Sequence, residues 1–247
     1  MRFCRLEFTH HLGVPAGTYP AGDADVLLLD VVDAPAARLG RRRGPDPAPV
    51  PLQTATLLRD GDVLAGGAAG EAERAALQAA ALAHLNVAIR AARCAVGDPY
   101  ALEVTAADAR SVRFGTAAFE EVRDGLVLGE AAPAARPPRR IRGAERTEQV
   151  RISQEVAGAL RGVVGPLEGE ELALRVLLDL EHGRLRAARG GARLAVEVLR
   201  EELGDARRAP PTTELDAGEV EAIARHVLAA ARAHRAQLLE ADRAARD

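Results

Sequence analysis

Lysine and tryptophan are absent from this chain of 247 residues, and all 33 of its basic residues are arginine. Such a complete replacement of lysine is typical of proteins from GC-rich, bacterial-like genomes. It also excludes two chemistries, because neither a Schiff base nor the phosphate-binding P-loop forms without a lysine. Aromatic residues make up only 2% of the chain, which argues against an aromatic platform that stacks on single-stranded nucleic acid.

Side chains that commonly act as nucleophiles or metal ligands are also few. The chain has two serines and two cysteines, and it lacks the Gly-x-Ser-x-Gly, Cys-x-x-Cys and His-x-x-x-His spacings. Acidic pairs such as Glu170 and Glu171 are predicted to lie on solvated helix faces. We therefore predict no catalytic residue, no metal site and no cofactor. Whether Cys4 and Cys94 are free or joined by a disulfide stays open.

Two of the six histidines, His84 and His234, fall on or beside the apolar stripes of predicted helices. A single histidine in that position is usually a packed, hydrogen-bonded residue of the core, and this is the interpretation we adopt. Cys94 follows His84 on the same predicted helix, about 15 Å away along the helix axis. The two side chains are too far apart to act together as a catalytic pair.

The formal net charge is −3, and charges of both signs are mixed along the chain. A surface for nucleic acid or anionic membranes needs a cluster of positive charge. The only dense arginine runs, at 41–43 and 136–142, lie among prolines and glycines, as in solvated linkers. No run of 18 uncharged apolar residues occurs, and residues 1–9 lack the apolar core of a signal peptide. We predict a cytoplasmic protein that binds neither a membrane nor nucleic acid.

Residues 1–130 have the pattern of an α+β domain with a mostly antiparallel sheet and one long helix. Alternating or continuous apolar runs predict strands, and apolar residues at i, i+3 and i+4 predict a helix. The predicted strands are 2–9, 24–32, 52–58, 100–104 and 111–114, and the predicted helix is 71–96. The continuous apolar character of 24–32 predicts a strand covered on both faces. The Pro- and Arg-rich segment 34–51 is predicted to be a disordered loop.

A Pro- and Arg-rich linker is predicted at 131–144, and residues 145–247 are predicted to form an all-α domain of four helices. These are 150–164, the two arms of a helical hairpin within 170–204, and 214–245 with Thr213 as its N-cap. The fold class predicted for the whole chain is therefore α+β, with a helical C-terminal domain.

The predicted hairpin resembles a tetratricopeptide repeat around its turn. Gly183 stands between the helices, and Ala188 and Ala195 follow five and twelve residues later. The segment departs from that family at its small first-helix residue, its aromatic and its closing proline, where the chain has Val176, Asp179 and Arg200. No second copy occurs at an offset of 34 residues, although stable arrays need about three repeats. We interpret the segment as a generic helical hairpin.

The hairpin is apolar beyond one stripe on each arm. Leu174, Leu178, Val196 and Val198 lie off the stripes, so that neighbouring helices or another chain must cover them. We therefore predict a non-enzymatic protein–protein interaction or regulatory module that uses its C-terminal helices to bind a protein partner or a second copy. Gly190 and Gly191 fall inside the second arm. Either that arm begins near residue 192, or the glycines let another helix approach.

An enzyme of another kind is the alternative hypothesis. Gly66, Gly67 and Gly70 stand between a possible strand and the helix predicted at 71–96. Backbone N–H groups at the start of a helix hold anions. The alternative is therefore an enzyme that binds a phosphate-bearing small molecule at this glycine-rich turn.

Overall fold

A computed structural model describes residues 1–22, 24–34, 50–61, 66–123, 143–204 and 215–246. Five strands form one antiparallel sheet in the order β2-β3-β4-β1-β5, with bounds β1 (Arg2–Phe8), β2 (Gly17–Ala21), β3 (Asp25–Ala34), β4 (Val50–Arg59) and β5 (Ser111–Thr116). The helices are α1 (Gly67–Val96), α2 (Phe119–Arg123), α3 (Gly143–Leu160), α4 (Glu168–Glu181), α5 (Leu185–Glu202) and α6 (Ala217–Ala244). The predicted α+β fold with a helical C-terminal region is confirmed.

The main core lies between one face of the sheet and the helices α1 and α3. Strand β1 lies between β4 and β5, and it is buried from Phe3 to Phe8. On the face toward the helices, every second residue of the strands meets the apolar stripe of α1. Members of this core are Cys4, Leu6, Phe8, Leu27, Leu57, Leu77, Leu85, Ile89 and Val156.

The opposite face of the sheet has less apolar cover. A small cluster of Phe3, Leu58 and Val122 forms where α2 lies against it, and Val26 and Leu28 of β3 pack there only in part. Strand β3, predicted to be covered on both faces, is therefore fully buried only at Leu27 and Leu29, on the helix side. Antiparallel sheets commonly have this asymmetry because one face carries most of the core.

One predicted strand is wrong. Residues 100–104 form no strand, because the side chain of Asn86 on α1 takes the place of a neighbouring strand. Its Nδ2 donates to the carbonyl of Val104 at 2.9 Å, and its Oδ1 accepts from the N–H of Val104 at 2.8 Å. Both hydrogen bonds of one strand residue are thus made by a side chain. Strand β2 was missed, since its short sequence contains Pro20 and reads as a turn.

Two predicted segments fall mainly outside the described residues. For the loop predicted at 34–51, residues 35–49 lie outside the description, and residues 34, 50 and 51 belong to β3 and β4. For the linker predicted at 131–144, residues 131–142 lie outside it, and α3 already begins at Gly143. The helix α3 packs on α1 and beside β2, with Ile152 and Val156 in the main core. The division into domains stays a prediction.

The helix ends follow local rules. Gly97 closes α1 and Gly183 closes the hairpin, both in the left-handed conformation with φ of 80° and 69°, which glycine adopts without strain. The N-cap of α6 is Asp216 rather than Thr213. Asp216 accepts from the N–H of Glu219 at 2.9 Å, and Glu219 accepts from the N–H of Asp216 at 2.8 Å, which is a complete capping box.

By length and composition alone, α1 is the one helix of the described residues that could cross a membrane. It lies on the sheet, with Leu77, Leu85 and Ile89 in the core. The core helix of a soluble protein meets the same two criteria.

Candidate functional site

The two hairpin helices touch along a seam of small residues, which we call the α4–α5 seam and define by Gly169, Ala173, Ala188, Gly191 and Ala192. A Cβ added at Gly169 would lie 2.6 Å from the backbone nitrogen of Leu199, and one at Gly191 would lie 2.9 Å from Cγ2 of Val176. These distances are shorter than van der Waals contact. Because α5 is continuous from Leu185, Gly191 is a glycine that lets the other helix approach.

The side of α5 that faces away from the seam is open. Ala187, Gly190 and Leu194 are exposed and follow one another at spacings of three and four, so they share one face. We call these three residues the outer α5 face. No atom lies within 4 Å of a Cβ added at Gly190, and Leu194 is 47% exposed. Charged residues of both signs flank the face: Arg186, Arg193, Glu197 and Glu201.

The four residues predicted to form an interaction surface lie elsewhere. Leu174 is only 3% exposed, and Leu178, Val196 and Val198 are half-buried. Leu174 stands one turn from Glu171, whose carboxylate accepts from Arg90 of α1 at 2.7 Å. This side of α4 is therefore turned toward α1 within the same chain. The outer α5 face was missed, although the spacing of Ala187, Gly190 and Leu194 is readable in the sequence.

A buried ion-pair network, which we call the Arg235 junction, joins three helices. Arg235 of α6 donates from Nε to Glu155 of α3 at 2.9 Å and from Nη1 to Glu170 of α4. All three side chains are more than nine-tenths buried. The prediction that Glu170 lies on a solvated face is wrong. The sequence position of Glu170 is equally compatible with a buried helix face. It is buried here because Arg235, which is distant in sequence, supplies a cation.

The last helix shows the same kind of error. Its buried stripe runs Val220, Ala224, Val227, Ala231 and Arg235, whereas the sequence interpretation placed His234 on it. His234 is half-buried beside the stripe. A step of three and a step of four residues both keep to one helix face, so that periodicity alone does not choose between positions 234 and 235.

The charges in the Arg235 junction do not balance within the buried group, since one guanidinium meets two carboxylates. Burial raises the pKa of Glu170 above its usual range, although the positive charge of Arg235 opposes the rise. Burial would lower the pKa of Arg235, but the charges of Glu170 and Glu155 raise it above its usual value. Arg151, which is partly exposed, binds Glu155 as a second cation. Nη2 of Arg235 has no hydrogen-bond partner among the described residues, and the thiol of Cys94 interacts with the carboxylate of Glu170.

The junction also fixes the end of α1. The carbonyl of Ala95 accepts from Nη2 of Arg151 at 2.8 Å and from Nη2 of Arg232 at 2.9 Å. Cations favour the C-terminal end of a helix, where carbonyls lack intrahelical partners. Arginines of α3 and α6 thus meet at the end of the helix that covers the sheet. The C-terminal helices are therefore held to the sheet region by charge as well as by apolar packing.

Neither cysteine has the chemistry of a nucleophile. Cys4 and Cys94 are both free and buried, so the possible disulfide between them is not formed. Burial raises the pKa of each thiol to about 12, and the negative charge of Glu170 adds to the rise at Cys94. The thiolate is the reactive form of cysteine, and both thiols are protonated at neutral pH. Cys94 lies beside Glu155 and Arg235.

His84 is hydrogen-bonded as expected, but it is half-buried and not a residue of the core. Its Nε2 lies 3.2 Å from Oδ2 of Asp25, and Asp25 also accepts from Nε of Arg59 at 2.8 Å. Arg59 and His84 hold the pKa of Asp25 below its usual value, although burial alone would raise it. This cluster ties β3, β4 and α1 together at one end of the sheet.

The glycine-rich turn is the start of α1 itself. Gly66 is its N-cap in an extended conformation, Gly67 has a φ of 65°, and Gly70 is buried in the first turn. No side chain of the described residues caps the N–H groups at this helix start. Phosphate binding at Gly66, Gly67 and Gly70 stays a prediction. A thermal-shift screen against nucleotides tests it, because a saturating ligand adds a few kcal/mol to the free energy of unfolding.

Within the described ranges, no group of three His, Cys, Asp or Glu side chains is placed to hold a metal ion. The glycine-rich turn and Cys94 lie at opposite ends of α1, about 40 Å apart by the rise of a helix. His84 lies between them and binds the sheet. The three features therefore do not share one pocket.

Comparisons with known proteins give no match: no family model, no curated protein and no solved structure is similar to this chain. Function therefore has to be inferred from the residues themselves.

Proposed function

We propose that the protein is a non-enzymatic protein-binding module, and that its outer α5 face packs against a helix of a partner protein. The observation that carries this proposal is Gly190. A glycine inside a helix costs about 1 kcal/mol relative to alanine. At Gly191 the missing side chain lets Val176 approach, which offsets that cost. At Gly190 a Cβ would meet nothing within 4 Å, so packing within the chain gives no reason for a glycine there.

The residues around Gly190 suit a helix as the occupant. Glycine lets a backbone approach closely, and Ala187 extends the same shallow surface by one turn. Leu194, 47% exposed, offers an apolar anchor at the other end. An amphipathic helix that binds in this way places apolar residues three and four apart against the groove. The partner helix is therefore expected to have a narrow apolar stripe with charges of both signs at its sides.

The face is also held rigidly. The α4–α5 seam fixes α5 against α4, and the carboxylate of Glu202 accepts from the N–H groups of Glu168 and Gly169 at 2.7 and 3.1 Å. Rigid surfaces lose less conformational entropy on binding than mobile ones. The outer α5 face is thus preorganised for a partner.

The substitution Gly190→Glu tests the proposal. The new side chain points into open space and stands between Arg186 and Arg193, four residues before and three after, so the helix should be at least as stable as in the wild type. We expect the variant to keep its melting temperature and to lose the partner that the wild type retains. Quantitative affinity purification from the native cell, with both proteins at equal levels, measures the loss.

A matched control exists on α6. Ala229 is exposed and stands between Arg225 and Arg232 at the same two spacings, so Ala229→Glu introduces the same charge in the same helical setting. We expect it to retain the partner. Equal retention by Gly190→Glu and the wild type would reject the outer α5 face as the binding site. Absence of any specific partner of the wild type would reject the proposed function itself.

A further inference from the structure

The two edges of the sheet differ in how they are protected. At the β2 edge, Pro20 removes one backbone donor. Helix α3 lies beside this strand: the hydroxyl of Tyr19 is 3.5 Å from Oγ of Ser153, and the N–H of Gly22, just after β2, donates to the carbonyl of Leu160 at 3.0 Å. Proline and a covering helix are common ways to block an edge strand. Strand β5 at the other edge has neither proline nor a buried residue.

The direction of the β5 backbone groups follows from its pairing with β1. Met1 and Ala117 exchange both backbone hydrogen bonds, at 3.1 and 3.0 Å. In an antiparallel pair the hydrogen-bonded positions alternate, so Gly115 and Arg113 also face β1. The residues between them direct their N–H and C=O groups away from the sheet. These are Val112, Phe114 and Thr116, and no described strand pairs with that side of β5.

Nothing in the described chain covers this row of backbone groups. The chain after β5 turns onto the open face of the sheet, where Val122 of α2 packs with Phe3 and Leu58. As far as Arg123, where the description of this segment ends, the chain does not return to the edge. An open edge with unpaired donors and acceptors is a template for a further strand.

We propose that β5 pairs with β5 of a second copy of the chain, antiparallel and centred on Phe114, so that the two sheets become one. In this register Phe114 lies opposite its own equivalent, and Val112 lies opposite Thr116 of the second copy. All three outward-facing residues then make hydrogen-bonded pairs. An aromatic pair across two strands stabilises the contact further.

Charge disfavours one neighbouring register. In the proposed register Arg113, which is paired with Glu7 of its own chain at 3.4 Å, lies opposite Gly115 of the second copy and not opposite another charge. Moving the centre by one residue to Arg113 would set two arginines against each other, which is destabilising. Moving it to Gly115 would leave Val112 outside the paired strands. A closed two-fold dimer is the commonest assembly of identical chains.

The test uses Thr116→Pro and measures molar mass by light scattering or sedimentation over a concentration series that reaches the millimolar range. The N–H of Thr116 points away from β1, so proline removes a bond of the dimer but none of the sheet. Thr18→Pro is the matched control at the other edge of the sheet. Thr18 is exposed and stands two residues before Pro20, so its N–H points in the direction of the backbone nitrogen of Pro20, away from β3. We expect a dimer for the wild type and for Thr18→Pro, and a monomer for Thr116→Pro.

Disulfide trapping checks the register without depending on proline. In the proposed dimer the two Cα atoms at position 114 are about 5.5 Å apart, within the range of a disulfide. Cys4 lies directly opposite position 114 on the neighbouring strand of the same chain, so both variants are made with Cys4→Ala to prevent an intrachain disulfide. Phe114→Cys should then form a crosslinked dimer on mild oxidation, whereas Arg113→Cys should not. A wild type that stays monomeric throughout, a Thr116→Pro variant as dimeric as the wild type, or equal crosslinking at both positions would overturn the proposal. Because the outer α5 face takes no part, Gly190→Glu should remain dimeric, which separates this proposal from the proposed function.

Discussion

The α4–α5 seam and the Arg235 junction are both buried contacts between helices, but close packing stabilises the first and ion pairing stabilises the second. The seam contains no charge, and its helices approach closely because glycine and alanine leave room. The junction contains three buried ionisable side chains, and within the described part of the chain it leaves Nη2 of Arg235 without a hydrogen-bond partner. The first contact depends on shape, and the second depends on partners that neutralise one another.

This difference predicts how each contact fails. In the seam, an added methyl group meets backbone atoms that cannot move aside, so small increases in volume should destabilise the protein. In the junction, volume matters less than charge, because a buried ion that loses its partner is far more costly than the intact pair is stabilising. Substitutions that are mild in one contact should therefore be severe in the other.

The largest effect is expected for Arg235→Ala. It leaves Glu155 and Glu170 buried without their shared cation, and we expect the free energy of unfolding to fall by about 3–5 kcal/mol. Urea denaturation measures the change. Arg232→Ala is the control on the same helix, because Arg232 is exposed and donates to the carbonyl of Ala95. Its loss should cost about 1 kcal/mol, and equal effects of the two substitutions would show that burial of charge is not what makes the junction sensitive.

The next effect is expected for Gly169→Ala in the seam. The new Cβ would lie 2.6 Å from the backbone nitrogen of Leu199, so α4 and α5 must move apart, and we expect a loss of about 1–3 kcal/mol. Gly190→Ala is the control in the same hairpin. It meets nothing and should raise the free energy of unfolding by about 0.5–1 kcal/mol. Thermal unfolding of both variants measures the difference. If both variants lost stability, close packing would not be what distinguishes Gly169 from Gly190.

The seam was accessible from the sequence, and the junction was not. Apolar and small residues at spacings of three and four, with Gly183 between the arms, were enough to predict the hairpin, although the sequence left open whether the second arm begins near residue 192 or its glycines let another helix approach. Glu170 was misplaced because a carboxylate on a helix face is solvated unless a cation comes from elsewhere in the chain. Arg235 stands 65 residues away, and no local pattern connects the two.

The same reason explains the remaining differences. Residues 100–104 have strand composition, but Asn86 supplies the hydrogen bonds that a strand would otherwise need. The outer α5 face was overlooked because its three residues are small or isolated, and its openness depends on the position of every other helix. Sequence periodicity predicts which side of an element is apolar. It does not predict which distant residue meets that side.

The smallest effect is expected at Glu170, and it depends on pH. Burial raises the pKa of Glu170 above its ordinary value of 4.5, so the folded protein holds this proton more tightly than the unfolded chain does. The contribution of the group to stability is therefore complete below pH 4.5 and is lost as the pH rises through the raised pKa. Gln resembles the protonated acid. Glu170→Gln should match the wild type at acidic pH and exceed it by about 1 kcal/mol at neutral pH, as measured by urea denaturation across that range.

Glu155→Gln provides the contrast within the same network. Glu155 lies between Arg235 and Arg151, so its neutralisation deprives two guanidinium groups of a negative partner. Neutralising Glu170, by contrast, removes a charge that exceeds what Arg235 balances. At neutral pH we expect this variant to be less stable than the wild type, while Glu170→Gln is more stable. If the change in the free energy of unfolding has opposite signs for these two Glu→Gln substitutions, both at partners of Arg235, the surplus negative charge lies at Glu170. If both variants lost stability to the same extent at every pH, the two carboxylates would be equivalent partners of Arg235.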